Sequence, residues 1–193
     1  MRSPAPQNFE HINCHLCNGN TYSPLLEAED DLTGKSGRFQ FVTCDACGFA
    51  FQNPRLKFEH IGAYYDDEYI AHRKKIDWGM LTPFYEWAMG KHDRDKLSLI
   101  QRYLTLNPET NVLDIGCGSG SFLSLLNEKT QANVTGIDFK DLSALPTLRG
   151  VNFKHGIPHE QNFGEEQFDL ITMWHFLEHD YFAEQTLSRA KEL

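Results

Sequence analysis

One stretch, Val112-Leu113-Asp114-Ile115-Gly116-Cys117-Gly118-Ser119-Gly120, admits few folds. Its apolar first residues suit a strand buried on both faces, its acid closes that strand, and its three glycines at alternate positions make a turn into the helix-patterned segment from about Ser121 to Lys129. Strand, glycine turn and helix form the first half of a βαβ unit. A strand at 133–137, a weaker one at 151–154 and an apolar one at 168–174 follow, so the chain reads as α/β with a doubly wound parallel sheet.

The glycine spacing and two acids narrow what such a turn could hold. A pyrophosphate site uses Gly-x-Gly-x-x-Gly at a helix N-terminus, whereas here Gly116, Gly118 and Gly120 alternate. Asp114 would repel phosphate and attract an ammonium or sulfonium. Asp138 closes the next strand 22 residues after Gly116 (138 − 116), the separation at which a carboxylate takes ribose hydroxyls. A cationic, ribose-bearing ligand therefore fits better than a nicotinamide dinucleotide or a ligand-free turn.

Ahead of this segment stand two Cys-x-x-Cys pairs, Cys14/Cys17 and Cys44/Cys47. Two such knuckles point four thiolates at one centre and complete a tetrahedral Zn²⁺ shell with no open position, which makes the metal structural. Each knuckle needs a residue tolerant of positive φ behind it, a demand met by Asn18-Gly19 and by Gly48. The 26 residues between the pairs (44 − 17 − 1) exceed the usual spacing because of a turn-rich insert at 30–37. Other readings are a redox-active pair and two unrelated exposed pairs; the repeated spacing favours zinc. The runs 38–43 and 49–52 read as a hairpin carrying the second pair at its turn. Cys117, alone in the glycine loop, reads as a small buried residue.

Composition excludes other classes. With 18 basic against 27 acidic residues and a net charge of −9, the chain is a poor partner for nucleic acid. No window approaches the ~18 apolar residues of a membrane span and the N-terminus lacks a signal-peptide core, so no membrane association and a cytoplasmic location are expected. Residues 56–73 are expected to be helix with an interruption. One long or two short amphipathic helices are expected over 83–104, apart from the polar run Lys91 to Lys96. Tyr64, Tyr65, Trp78 and Tyr85 would cover a pocket or pack in the core, with helical spacing favouring the core.

On its glycine motif, on Val134-Thr135-Gly136-Ile137-Asp138 and on Phe168-Asp169-Leu170-Ile171-Thr172-Met173-Trp174-His175-Phe176-Leu177-Glu178-His179, the chain resembles the class I S-adenosylmethionine-dependent methyltransferases. The cysteine pairs, Asn53-Pro54 and the tyrosines near 64 resemble a subgroup with an N-terminal zinc ribbon that includes deoxysugar C-methyltransferases. The resemblance implies a Rossmann-like domain over 109–193, a zinc-ribbon β-hairpin module over 1–55 and a helical linker or lid over 56–108. It implies S-adenosylmethionine bound with the backbone of Gly116 and Gly118 along its methionine moiety, Gly120 also in the cofactor site, Asp114 near its amino group and Asp138 on its ribose. His155 and Gly156 would flank adenine, although the family often has an acid where this chain reads Lys154-His155-Gly156, and Met173 to His175 would line the transfer pocket.

His175-Phe176-Leu177-Glu178-His179 also matches a zinc-protease signature that requires a helix and a third ligand. It starts at a strand end, so His175, Glu178 and His179 read either as acid-base groups beside the methyl acceptor or as strand-capping residues. The family sheet resembles a seven-stranded one and this chain ends within the helix after the fourth strand. The expectation is a truncated product with an incomplete sheet, or self-association covering the open edge. The acceptor implied is a small, sugar-like molecule. The rival function is a non-catalytic binding module with a vestigial half-domain.

Overall fold

The computed structural model describes residues 6–30, 36–65, 82–165 and 167–193, with residues 6 and 82–89 described by backbone alone. Most of the insert at 30–37, and Tyr69 and Trp78, lie outside the described residues, as do the side chains of Phe84, Tyr85, Trp87 and Ala88. The chain divides into two compact units, Met1–His72 and Arg73–Leu193. The segment 56–108, read as one linker from the sequence, thus falls on both.

In the first unit, strands β2 (Tyr22–Glu29), β3 (Arg38–Cys44) and β4 (Ala50–Gln52) form an antiparallel sheet in that order. The expected hairpin is β3 and β4, with Phe41 opposite Gln52 and Thr43 opposite Ala50. Strand β2 was not expected. Its register shifts between Pro24 and Leu26, which breaks the two-residue alternation by which strands are recognised. The short β1 (Phe9–Glu10) pairs antiparallel with β5 (Arg55–Leu56), and the Arg55 guanidinium donates to Glu10 at 2.8 Å.

The core of this unit is small: Cys14, Val42, Cys44 and Phe51, with Ile12 and Tyr22 against it. Asn53, 1% exposed, closes it by donating to the Ile12 carbonyl while its side-chain oxygen accepts from the Ile12 N–H, both at 3.1 Å. A buried amide satisfied on both sides ties the first knuckle to the end of β4 across 41 residues. The Asn53–Pro54 peptide is cis. Of the helix expected over 56–73, the described part is a single 3₁₀ stretch, Phe58–Ala63. Gly62 disfavours continuation of a regular helix there. Tyr64 is half-buried, packs edge-on against Phe39 and donates to the Ser36 carbonyl.

The second unit begins with α1 (Thr82–Ile100), one continuous helix that carries Pro83 in its first turn, where a missing N–H costs nothing. It includes the polar run at 91–96. Four parallel strands follow: β6 (Asn111–Ile115), β7 (Asn133–Asp138), β8 (Asn152–His155) and β9 (Leu170–Met173). Helix α2 (Ser121–Thr130) links β6 to β7, and α3 (Ala183–Glu192) follows β9.

The order β8-β7-β6-β9 places β6 and β7 inside; the chain travels outward from β6 through β7 to β8 and then reverses, crossing to β9 on the other side of β6. Strands β8 and β9 are its edges among the described residues. Alternate residues feed two cores. Val112 and Val134 pack with Leu97 and Ile100 of α1 and with Phe122, Leu123 and Leu126 of α2, whereas Leu113, Ile115 and Ile137 pack with Phe163, Ile171 and Ala190 on the opposite face. A sheet apolar on both sides and covered on both is the doubly wound α/β architecture expected of the sequence. Among the described residues no helix is long and apolar enough to cross a membrane.

Candidate functional site

In open α/β sheets, ligands bind beyond the carboxyl ends of the strands at the point where strand order reverses. Here that point lies between β6 and β7 on one side and β9 on the other, and the glycine loop fills it. Gly116, Gly118 and Gly120 have φ of 75°, 52° and 72°, all left-handed. The Gly116 and Cys117 N–H groups both donate to the Ile137 carbonyl, at 2.8 and 3.1 Å, which folds the loop back over the end of β7. Gly120 then leads into α2.

A Cβ at Gly116 would run into the Phe176 ring, and one at Gly120 into Leu148. The substitution Gly116→Ala combines a left-handed backbone with that collision. It is expected to cost about 3 kcal/mol in stability by urea unfolding. A loss well under 1 kcal/mol would show that the loop relaxes at will.

Asp114 and Asp138 stand at neighbouring strand ends on the face covered by α1 and α2. Asp138 Oδ2 accepts from the Gly118 N–H at 3.0 Å and Oδ1 from the Lys140 N–H at 3.0 Å, so the second acid directly shapes the glycine loop. Asp114 is 3% exposed and accepts from the Thr172 hydroxyl at 2.7 Å. Burial pushes its carboxyl up to about 7, against the opposing pull of the Thr172 hydroxyl and the Lys96 charge. Thr172 was not singled out in the sequence. Its signal is positional: it lies opposite Asp114 in the β6–β9 register, which no single-strand reading reveals.

His155 ends β8 in register with Asp138, and Gly156 follows it with its N–H donating to the Asp138 carbonyl at 2.9 Å. The exposed His155 ring nitrogen Nε2 lies 3.0 Å from the Phe139 carbonyl. Met173, opposite Ile115, packs in the core of the opposite face with Ile137 and Phe163. His175 has a left-handed φ of 53° and is exposed, with Nδ1 3.7 Å from Glu178 Oε1. Its ring stacks on His92 of α1 at 6.0 Å, a neighbour the sequence did not disclose. Leu177–His179 form a 3₁₀ turn and not the α-helix a His-x-x-Glu-His zinc site requires. Cys117 is buried in the loop, as expected, and burial raises its thiol.

The four cysteines come together. The ligand atoms of Cys14, Cys17, Cys44 and Cys47 all lie within 4.8 Å of one another, and among the described residues this is the group suited to a metal ion. Cys14 Sγ is 3.6 Å from Cys47 Sγ, and Cys17 Sγ is 3.5 Å from Cys44 Sγ. A tetrahedron with Zn–S bonds of about 2.3 Å has sulfur edges of roughly 3.8 Å, close to these separations. Behind the knuckles Asn18 and Gly48 have φ of 58° and 76°, the left-handed turns the spacing called for. Backbone N–H groups, chiefly that of Cys47, draw the Cys44 thiol down to about 7. The Phe49 N–H also lowers Cys47, yet desolvation and the three neighbouring sulfurs push it up to about 12. Four sulfurs so placed cannot all ionise without a cation among them, so the donor set fits Zn²⁺.

Residues 89–193 match the family model described as a methyltransferase domain. The chain is similar to the ribosomal protein L11 methyltransferase of Burkholderia thailandensis, with 32% identity over 97 residues, 47% of this chain and 31% of that protein. It therefore spans about a third of the length of that curated relative. A solved structure, YjhP from E. coli, aligns with a TM-score of 0.37 at 18% identity over 62% of this chain and 48% of its own. Since the family model covers more than half of the sequence, from within α1 through all four parallel strands to the last residue, the chain belongs to the methyltransferase domain family.

Proposed function

We propose that the chain binds S-adenosylmethionine at the carboxyl ends of β6, β7 and β8, and that it is the cofactor-binding part of a methyltransferase acting on a small, sugar-like acceptor. The observation that carries this reading is the pair of buried aspartates, Asp114 and Asp138, flanking a backbone loop without side chains at Gly116, Gly118 and Gly120. Asp114 offers a carboxylate to the ammonium of the methionine moiety. Asp138 is a hydrogen-bonding acid at the position for ribose, with His155 and Gly156 beside it for the adenine edge.

When bound, the cofactor supplies an electrophilic methyl group on a sulfonium. The protein's share is alignment and, where the acceptor carries a weakly acidic proton, its removal. His175, with Glu178 beside it and His179 further along the same turn, is assigned that proton. The four cysteines are assigned a structural Zn²⁺, and the acceptor assignment rests on the ribbon-bearing subgroup the sequence resembles.

Calorimetry with S-adenosylhomocysteine tests the cofactor reading, and one ligand per folded, zinc-loaded chain is the expected result. Asp138→Ala is expected to weaken that binding by about ten- to a hundredfold, the range for losing hydrogen bonds to a charged group. Absence of binding to the folded protein would remove the proposed cofactor, and unchanged affinity in the variant would remove Asp138 from the site.

A further inference from the structure

The polar run of α1 hides two charges. Asp93 is 5% exposed, and the Lys96 ammonium lies 3.5 Å from Asp93 Oδ1, 5.3 Å from the centre of the Phe122 ring and 5.2 Å from that of Trp174. Phe122 and Trp174 meet edge-on at 5.8 Å. A lysine between two aromatic faces and a carboxylate is held in place by cation–π attraction as well as by the ion pair.

The period-two alternation of the sheet puts this ammonium on the cofactor side of the structure. Val112 and Asp114 share one face of β6, and Thr172 and Trp174 share the matching face at β9, where Thr172 donates to Asp114. Gly136 and Asp138 of β7 share it too, and a Cβ at Gly136 would meet Leu123 of α2 and Cys117. Among the described residues, the charged groups acting on Asp114 are Lys96 and Asp93 from α1 and Asp138 from β7, with the Thr172 hydroxyl from β9 and the Cys117 thiol from the loop beside it. Among the described residues, three acids face one ammonium.

We propose that Lys96 and Asp93 are an opposed pair of positioning residues that set the charge on Asp114, and through it the strength with which the site holds a cationic ligand. This rests on the cofactor reading above. Lys96 favours the ionised carboxylate, whereas Asp93 opposes it both directly and by engaging the lysine. A ligand ammonium at Asp114 would add the missing positive charge, so its arrival displaces a proton and its affinity rises with pH until Asp114 is ionised. Neither residue need touch the ligand for this to hold.

The test is a carbon-13 titration of the Asp114 carboxyl in the free protein, in the parent chain and in Lys96→Gln and Asp93→Asn. Lys96→Gln should raise the Asp114 midpoint by about one pH unit and Asp93→Asn should lower it by a similar amount, as expected for unit charges acting across a partly polarisable interior. S-adenosylhomocysteine affinity measured from pH 5.5 to 8.5 should follow the same midpoints. A merely structural lysine would weaken folding in Lys96→Gln without moving Asp114, and the asparagine variant, being isosteric, remains readable should the glutamine variant fail to fold. Midpoints that stay put in the folded variants overturn the proposal whether or not the nucleoside binds. Midpoints that move as described, with no nucleoside bound at any pH, uphold the charge-setting pair and defeat the cofactor reading alone.

Discussion

Stripping metal from the four-cysteine cluster is expected to unfold the first unit and leave the second standing. The apolar core around the cluster amounts to Cys14, Val42, Cys44 and Phe51, two of which are themselves the proposed ligands. So small a core cannot offset the conformational entropy of ordering β1 to β5. Structural Zn²⁺ contributes on the order of 10 kcal/mol in comparable knuckles, so its removal exceeds any stability the remaining contacts supply. The second unit has two separate cores of its own and no cysteine of the cluster. Amide NMR spectra recorded before and after chelation should show collapse of resonances from 9–56 and retention of those from 111–173, with one zinc and four thiols released per chain. Resonances of the first unit that survive chelation, or a metal content well below one per chain, would end the structural-zinc assignment.

Replacing Asp114 by asparagine is expected to stabilise the free protein above neutral pH while weakening its hold on the cofactor. The sign follows from the direction of the shift. Burial raises the folded carboxyl from 3.8 to about 7, so the unfolded chain ionises first as pH rises. Stability tied to this group is complete below pH 4 and is lost as pH climbs through 7. At about 1.4 kcal/mol per pKa unit the loss reaches roughly 4 kcal/mol by pH 8. Asparagine keeps the shape and can still accept from Thr172, but it never ionises, so the variant should lack this pH dependence and melt higher than the parent at pH 8. Its affinity for S-adenosylhomocysteine should fall by about ten- to a hundredfold, since an amide oxygen replaces a carboxylate opposite an ammonium. A variant that is less stable than the parent at pH 8, or that binds equally well, would show that Asp114 is neither strained by burial nor engaged by the ligand. A residue that destabilises its own fold at working pH is the pattern expected where function, and not packing, selects the side chain.

How far these features could be read from the residues depended on whether the governing contact was local. Strand β6, the glycine turn and α2 were legible because apolar run, acid and glycines each impose a backbone conformation within a few residues. The knuckles were legible for the same reason, since Asn18 and Gly48 sit where a two-thiol turn demands positive φ. Strand β2 was hidden by the register shift at Pro24/Leu26. The run 91–96 interrupted the apolar pattern because it is polar, yet positions 93, 96, 97 and 100 share one helical face, and that spacing was the available sign that Asp93 and Lys96 point inward with Leu97 and Ile100.

The residues in order dictated a parallel βαβ sheet, a left-handed glycine loop after Asp114 and a pair of cysteine knuckles, because local sterics and hydrophobic alternation act between near neighbours. Tertiary structure alone decided which side chains meet. Thr172 reaches Asp114 from 58 residues away, His92 stacks on His175, and the Lys96 ammonium finds its place between Phe122 and Trp174. These pairings follow from strand order and helix placement, and burial then converts them into the electrostatics of the site, because a charge removed from water is governed by whatever the fold has put beside it.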